Sequence, residues 1–122
     1  MAFHLKNQGA IVTGAARGIG LAISRRFAEL GAHVSGWDLN CNSIERNPLF
    51  AHTVNVDVTD ETSVNQAFLE TISNLKQVSI LVANAGINGP VKPTWDYSLN
   101  EWQRTIDVNL TGVFLSVRPV VI

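Results

Sequence analysis

The chain has 122 residues, 46% of them hydrophobic and 16% charged, and its formal net charge at pH 7 is -1. This length accommodates a single domain, and the composition is that of a folded globular chain. The near-zero net charge gives no sign of binding to nucleic acid or to an anionic membrane, and no apolar run is long enough to span a bilayer.

Short apolar runs alternate along the chain with segments of helical periodicity. This alternation predicts an α/β fold of the Rossmann type, with a doubly wound parallel sheet that is incomplete at about four strands and three to four helices. In chain order, we predict a strand at 10–13, a helix from 18 that ends at Gly31, a strand at 32–37 and a loop at 38–50. These are followed by a strand at 53–58, a helix capped by Thr59 or Asp60 and a strand at 78–83. A long loop at 84–97 then leads to a final helix.

The final helix is predicted to begin at a capping box made by Ser98 and Glu101. Pro119 is expected to break this helix. The side chains at helical spacing, which should face the core, are Trp102, Ile106, Leu110, Val113 and Val117.

Glycines follow the first predicted strand, in the run Thr13-Gly14-Ala15-Ala16-Arg17-Gly18-Ile19-Gly20. At this spacing, Gly14 allows a tight turn, Gly18 lets the backbone approach a pyrophosphate and Gly20 packs the helix on the strand. The run therefore predicts a dinucleotide-binding loop, and the alternative is a turn that merely joins a strand to a helix.

Asp38 stands at the end of the second predicted strand, at roughly the distance of 20 residues beyond the loop that this binding motif requires. A carboxylate there can accept hydrogen bonds from the adenine-ribose diol and would repel a 2′-phosphate, which favours NAD. Arg17 points the other way, because a guanidinium in the loop can pair with the 2′-phosphate of NADP. NAD is the predicted cofactor, and NADP is the alternative.

With the motifs that follow, the chain resembles the short-chain dehydrogenase/reductase family in the branch with a T-G-x-x-x-G-x-G loop. Asp57-Val58 matches the acid that contacts adenine in the family, Asn84-Ala85-Gly86 matches the N-A-G motif beside the cofactor, and Asn109 matches the asparagine of the catalytic tetrad. Taken singly, these are ordinary features: a helix-capping acid, a turn and, at Asn109-Leu110-Thr111, a glycosylation sequon.

The resemblance implies one NAD(P)-binding Rossmann domain over residues 1–122, and hydride transfer between a nicotinamide cofactor and a small alcohol or carbonyl substrate. It implies that Asn109 is catalytic and that the cofactor-binding residues are Gly14, Ala16, Arg17, Gly18, Ile19, Gly20, Asp38, Asp57, Val58, Asn84, Ala85 and Gly86. It also allows a homo-oligomer.

The family's mechanism further uses a serine and a tyrosine with a lysine four residues later. Tyr97 is the one tyrosine, and no lysine occurs in the four residues that follow it, so it is interpreted as a loop aromatic beside the final helix. We therefore expect the 122 residues alone to be inactive. The alternatives to an enzyme are a nucleotide-binding half-domain and a chain that folds only with a partner.

Several other residues carry weaker expectations. The one cysteine, Cys41, excludes an intrachain disulfide and is expected to be a free, exposed thiol. His4, His33 and His52 lack partners at metal-ligand spacing, so no metal site is predicted. Trp95 and Trp102 are expected to pack near the start of the final helix. With no secretory signal pattern visible, the protein is expected to be cytoplasmic.

Overall fold

A parallel four-stranded sheet organises the computed structural model, which describes residues 4–122. The strands are β1 (Gly9–Thr13), β2 (His33–Asp38), β3 (Phe50–Asn55) and β4 (Ile80–Val82), and their order in the sheet is β3-β2-β1-β4. The chain thus runs outward from β1 to β3 and then crosses to the other side of β1. That reversal creates a switch point between β1 and β4, where α/β sheets typically bind ligands. The predicted fold class is confirmed.

Helices cover both faces of this sheet. They are α1 (Gly18–Glu29), α2 (Glu61–Leu75), α3 (Leu99–Ile106) and α4 (Gly112–Val121), with a short 3-10 turn at Thr94–Asp96. One core cluster packs Val12 and Val34 against α1, and the other packs Ile11 and Trp37 against α2 and α4. Successive strand residues therefore face opposite layers, as a sheet buried on both sides requires. None of the helices within residues 4–122 is long and apolar enough to cross a membrane.

Local signals placed several helix ends correctly. The Asp60 carboxylate accepts hydrogen bonds from the amides of Thr62 and Ser63 at the start of α2. Ser98 and Glu101 form the predicted capping box at the start of α3. These caps satisfy amides that have no partner within the helix, which is why they are visible in the sequence.

The third strand begins three residues earlier than predicted, at Phe50 instead of Thr53. Phe50 is buried against Gly36 of β2, where a Cβ atom would approach the phenyl ring to 2.7 Å. This long-range fit draws the 50–52 segment into the sheet. Val56, Asp57 and Val58 consequently lie beyond the end of β3, in the connection to α2.

The final helix differs from its prediction in two ways. Residues Asp107–Thr111 form a π-helical turn between α3 and α4, which shifts the buried face so that Gly112, Leu115 and Ser116 contact the core. Leu110 is consequently 64% exposed, although its spacing predicted a core position. The predicted break at Pro119 is also wrong, because the helix continues through it to Val121. A proline so near a helix end removes only one late hydrogen bond.

A polar network joins β2, β3 and α2 beneath the sheet. Thr71 Oγ1 accepts from Trp37 Nε1 at 3.0 Å, lies 3.2 Å from Ser35 Oγ and donates to the Ala67 carbonyl at 2.8 Å. Ser35 Oγ also lies 2.8 Å from His52 Nδ1, and His52 Nε2 lies 2.7 Å from a Glu70 carboxylate oxygen. His52 is therefore a structural residue of this network.

Candidate functional site: a cleft at the carboxyl ends of the strands

A cleft of about 800 Å³ opens at the carboxyl ends of the strands, next to the switch point. Five segments line it: the glycine loop, the residues after β2, the residues after β3, the turn after β4 and one side of α3 with the π-helical turn. The lining residues are Gly14, Ala16, Arg17, Gly18, Ile19, Trp37, Asp38, Leu39, Asn40, Asn42, Ser43, Val56, Asp57, Val58, Thr59, Asn84, Ala85, Gly86, Ile87, Arg104 and Val108.

The first turn of α1 presents its amides to the cleft. Its N-cap residue is Arg17, and no side chain caps this end of the helix. The first amides of an α-helix have no partner within the helix and carry its positive dipole end, so they can bind an anion. Gly18 has φ +57°, and a Cβ atom built there meets nothing within 4 Å. The backbone at Gly18 is therefore open to close approach by a phosphate.

The other two glycines of the loop serve packing. A Cβ atom on Gly20 would lie 2.1 Å from the Gly14 carbonyl oxygen, and one on Gly14 would lie 2.9 Å from Asn84 Nδ2. Gly20 is buried and does not line the cleft. It is the one predicted cofactor-binding residue outside the lining, and its position fits the packing role expected for it.

Thr13 and Asn84 hold the glycine loop against the turn after β4. The Thr13 hydroxyl oxygen accepts hydrogen bonds from the amides of Asn84 and Ala85, both at 2.9 Å. In return, Asn84 Nδ2 donates to the Thr13 carbonyl at 3.1 Å and the Gly14 carbonyl at 3.3 Å. These hydrogen bonds join the glycine loop to the Asn84-Ala85-Gly86 turn.

Asp38 connects the end of β2 to the same loop. Its Oδ2 accepts a hydrogen bond from the Ala16 amide at 3.0 Å, and its Oδ1 accepts one from the Asn40 amide at 3.3 Å. Each carboxylate oxygen has a second lone pair, so Asp38 can still accept from a ligand hydroxyl. The Asp38 carbonyl also accepts from the Val56 amide at 2.8 Å, which places the residues after β3 alongside.

Asp57 presents an ionised carboxylate to the cleft. Hydrogen bonds from the Thr59 hydroxyl at 2.6 Å and the Thr59 amide at 3.0 Å both reach Oδ1. These bonds, with a smaller contribution from the positive charge of Arg104, hold the pKa of the Asp57 carboxyl below its ordinary value. Oδ1 accepts both of these bonds, which leaves Oδ2 able to accept a hydrogen bond from a ligand.

Asn109 lies within the π-helical turn and clamps the chain after the Asn84-Ala85-Gly86 turn. Its Oδ1 accepts from the Ile87 amide at 2.8 Å, and its Nδ2 donates to the Ile87 carbonyl at 2.7 Å. Asn109 itself does not line the cleft, whereas Ile87 does. In this structure the side chain of Asn109 therefore positions a wall of the site, and its catalytic role stays a prediction.

Two weaker expectations are corrected. Cys41 is 4% exposed, and its thiol donates to the Val54 carbonyl at 3.3 Å, so it is a buried structural residue. Burial, followed by the negative charge of Asp38, raises the pKa of this thiol. Trp95 and Trp102 are 84% and 56% exposed, so neither is the packing residue that was predicted.

Sequence reasoning missed part of the lining. Three polar residues within five positions after Asp38 also line the cleft: Asn40, Asn42 and Ser43. Their closeness to Asp38 in the sequence indicates this location. The apolar spacing of the final helix gives no indication that Arg104 and Val108 line the cleft. They lie four residues apart, which places them on one face of the helix.

The cleft is electrostatically balanced. Asp38 and Asp57 contribute two negative side chains, and Arg17 and Arg104 contribute two positive ones. The uncapped start of α1 adds partial positive charge at the loop. These groups can interact with a ligand that carries both an anionic group and hydroxyl groups.

The family model described as short chain dehydrogenase matches residues 8–121 of the chain. The 2-dehydro-3-deoxy-L-rhamnonate dehydrogenase (NAD(+)) of Sphingomonas sp. (strain SKA58) is 37% identical over an alignment of 115 residues. The match covers 92% of this chain and 46% of that protein. Glucose 1-dehydrogenase 2 of Bacillus subtilis (strain 168) is 37% identical over 123 residues, covering 93% of this chain and 47% of that protein.

Among solved structures, the 3-ketoacyl-(acyl-carrier-protein) reductase from Brucella melitensis complexed with NADH superimposes with a TM-score of 0.90 at 31% identity. The superposition covers 95% of this chain and 49% of that one. The chain thus spans about half the length of the curated relatives it matches.

Proposed function

The chain belongs to the short-chain dehydrogenase family, and from this premise we propose that residues 1–122 form a domain that binds the adenosine side of a nicotinamide dinucleotide. The activity that we propose for the family member containing this chain is reversible oxidation of an alcohol to a carbonyl. The observation that carries the proposal is the uncapped α1 terminus with an open Gly18, which lies beside Asp38 in one cleft.

The residues present fit the pyrophosphate and adenosine parts of the cofactor. The amides at the start of α1 would hold the pyrophosphate, Asp38 would accept from the adenine ribose, and Asp57 would lie near adenine. When bound, the cofactor supplies the hydride acceptor or donor. The chain's own contribution is binding and orientation, because Asn109 fixes Ile87 and the Thr13–Asn84 contacts fix the loop.

NAD is the cofactor that we propose, with NADP as the alternative. The Asp38 carboxylate would repel a 2′-phosphate on the ribose that it binds, whereas Arg17, which follows Ala16 in the glycine loop, could attract one. Asp38 is fixed by the Ala16 amide, and Arg17 is an exposed side chain with more freedom. The relative named as an NAD(+) dehydrogenase and the NADH-bound neighbour support the same preference.

The substrate class that we propose is a small alcohol or carbonyl compound. The relatives named above differ in the substrate that their names give, and each is named as a dehydrogenase or a reductase. This shared chemistry supports the reaction type and leaves the individual substrate open.

Calorimetric titration of the 122-residue chain with NADH and NADPH tests the proposal. We expect NADH to bind and NADPH to bind at least about tenfold more weakly, a difference of 1.4 kcal/mol. Binding of neither nucleotide would overturn the proposed function. Tighter binding of NADPH would agree with dinucleotide binding but would contradict the preference for NAD, and would assign the cofactor preference to Arg17.

A further inference from the structure

Arg104 lies on α3 in the wall of the cleft, on the side of Asp57. It lines the cleft together with Val108, which comes one helical turn later on the same face. Its side chain is exposed, and across residues 4–122 no salt bridge joins it to an acid, in contrast to Arg26, Lys92 and Arg118. A guanidinium is thus present in the cleft without a protein partner to occupy it.

Within residues 4–122, no salt bridge joins Arg104 to Asp57, the acid of the cleft whose pKa its charge helps to lower. Asp57 Oδ1 is already bonded to Thr59, and the positive charge of Arg104 acts on the Asp57 carboxyl through space. The two groups therefore border the same end of the cleft as separate polar groups. Apolar side chains line the cleft as well, because Val56 and Val58 flank Asp57 in the chain and Val108 follows Arg104.

A flat aromatic ring fits this end of the cleft better than a phosphate does. The amides that can bind an anion belong to the first turn of α1, whereas the Asp57 end of the cleft presents a negative carboxylate, which would repel a phosphate. A planar guanidinium beside apolar side chains is suited to stack on an aromatic face.

We propose that Arg104 is a cofactor-binding residue whose guanidinium packs on the face of the adenine ring, with Asp57 at the ring's edge. The inference rests on the proposed function and adds to it a residue that fixes the adenine end. Arg104 binds the ring in this account and takes no part in proton or hydride transfer.

Titration of the full chain with ADP-ribose tests this role, because that ligand carries the adenine end without nicotinamide. We expect Arg104→Ala to weaken ADP-ribose binding about fivefold, within the range of a cation–π contact. Arg104→Lys keeps the charge and loses the planar group, so we expect binding about threefold weaker than in the unmodified chain. Arg25→Ala, which removes an exposed arginine of α1 outside the cleft, is the matched control and should bind as the unmodified chain does.

The outcomes separate the two proposals. If the unmodified chain binds ADP-ribose and Arg104→Ala binds equally well, the adenine contact is overturned while the proposed function stands. If Arg104→Lys binds as the unmodified chain does, charge alone matters, and a phosphate contact replaces the stacking contact. If the unmodified chain fails to bind ADP-ribose, both proposals are overturned. Melting temperatures of the variants report whether each one is folded.

Discussion

The Asp38 carboxylate and the Ala16 amide are joined by a hydrogen bond of 3.0 Å that ties the end of β2 to the glycine loop. Asp38 thereby has a structural task besides its proposed contact with the ribose. Cofactor preference and loop geometry are consequently linked at a single side chain.

Substitutions at Asp38 separate these two tasks. Asp38→Asn keeps an oxygen for the Ala16 amide and removes the charge, so we expect the ratio of NADPH to NADH affinity to rise about tenfold. Asp38→Ala also loses the loop contact and should weaken both cofactors. Calorimetry with both nucleotides measures the effect, and an unchanged ratio in Asp38→Asn would assign the preference to Arg17.

Thr59→Val should make the stability of the chain less dependent on pH. The Thr59 hydroxyl is the first cause of the lowered pKa of Asp57. A lowered folded-state pKa stabilises the fold above the unfolded-state pKa, and this stability is lost as pH falls through the folded-state value. The difference in unfolding free energy between the chain and its variant should therefore be present at neutral pH and vanish in acid.

Urea unfolding from pH 7 down to pH 2 measures that difference, and an NMR titration of the Asp57 carboxyl follows its pKa directly. Thr62→Val is the matched control, because Thr62 is an exposed threonine whose amide, and not its hydroxyl, bonds to Asp60. A Thr59→Val deficit that persists unchanged in acid would contradict the assignment.

Cys41 should react slowly in the native chain. Its thiol is buried and its pKa is raised, so the thiolate that attacks alkylating reagents is scarce at neutral pH. With iodoacetamide at pH 8, we expect native alkylation at least about tenfold slower than alkylation in denaturant. Equal rates would show that Cys41 is exposed in solution.

Thr71→Val should lower the free energy of unfolding, because the Thr71 hydroxyl contacts Trp37 Nε1, Ser35 Oγ and the Ala67 carbonyl. Removing it leaves Trp37 Nε1 without a buried partner, which corresponds to about 1–3 kcal/mol of unfolding free energy, whereas Ser35 Oγ keeps its contact with His52 Nδ1. Ser24→Ala is the control, since its buried hydroxyl bonds only the Gly20 carbonyl of its own helix. Chemical denaturation compares them, and equal losses would contradict the shared role of Thr71.

The sequence was most informative where the signal is local. The Asp60 cap, the Ser98 capping box and the glycine loop depend on residues within a few positions of each other, and the structure contains all three. The strand alternation was likewise sufficient for the fold class, because buried parallel strands appear as short continuous apolar runs.

Long-range packing explains what the sequence did not reveal. Phe50 joins β3 because Gly36 of the neighbouring strand leaves room for its ring, and no local pattern shows that fit. The π-helical turn around Asn109 shifts every later side chain of the helix, so Leu110 faces solvent and Leu115 faces the core. A single arginine on a helix gives no sign in the sequence that it lines a cleft, so the position of Arg104 is visible only in the folded chain.

The proposed cofactor site depends most on the open backbone at Gly18, which would receive the phosphates of the cofactor. Gly18→Ala and Gly31→Ala form a matched pair, because both glycines have positive φ (+57° and +97°) while only Gly18 lines the cleft. Each should lose roughly 1 kcal/mol of stability for backbone strain, and Gly31→Ala should lose more, because its Cβ atom would also lie 3.1 Å from the Lys6 Cα atom.

Calorimetric titration of these two variants with ADP-ribose is the most direct measurement. We expect Gly18→Ala to weaken binding at least about tenfold, while Gly31→Ala binds as the unmodified chain does. Equal affinity in both variants, or an equal loss in both, would contradict the proposed cofactor site.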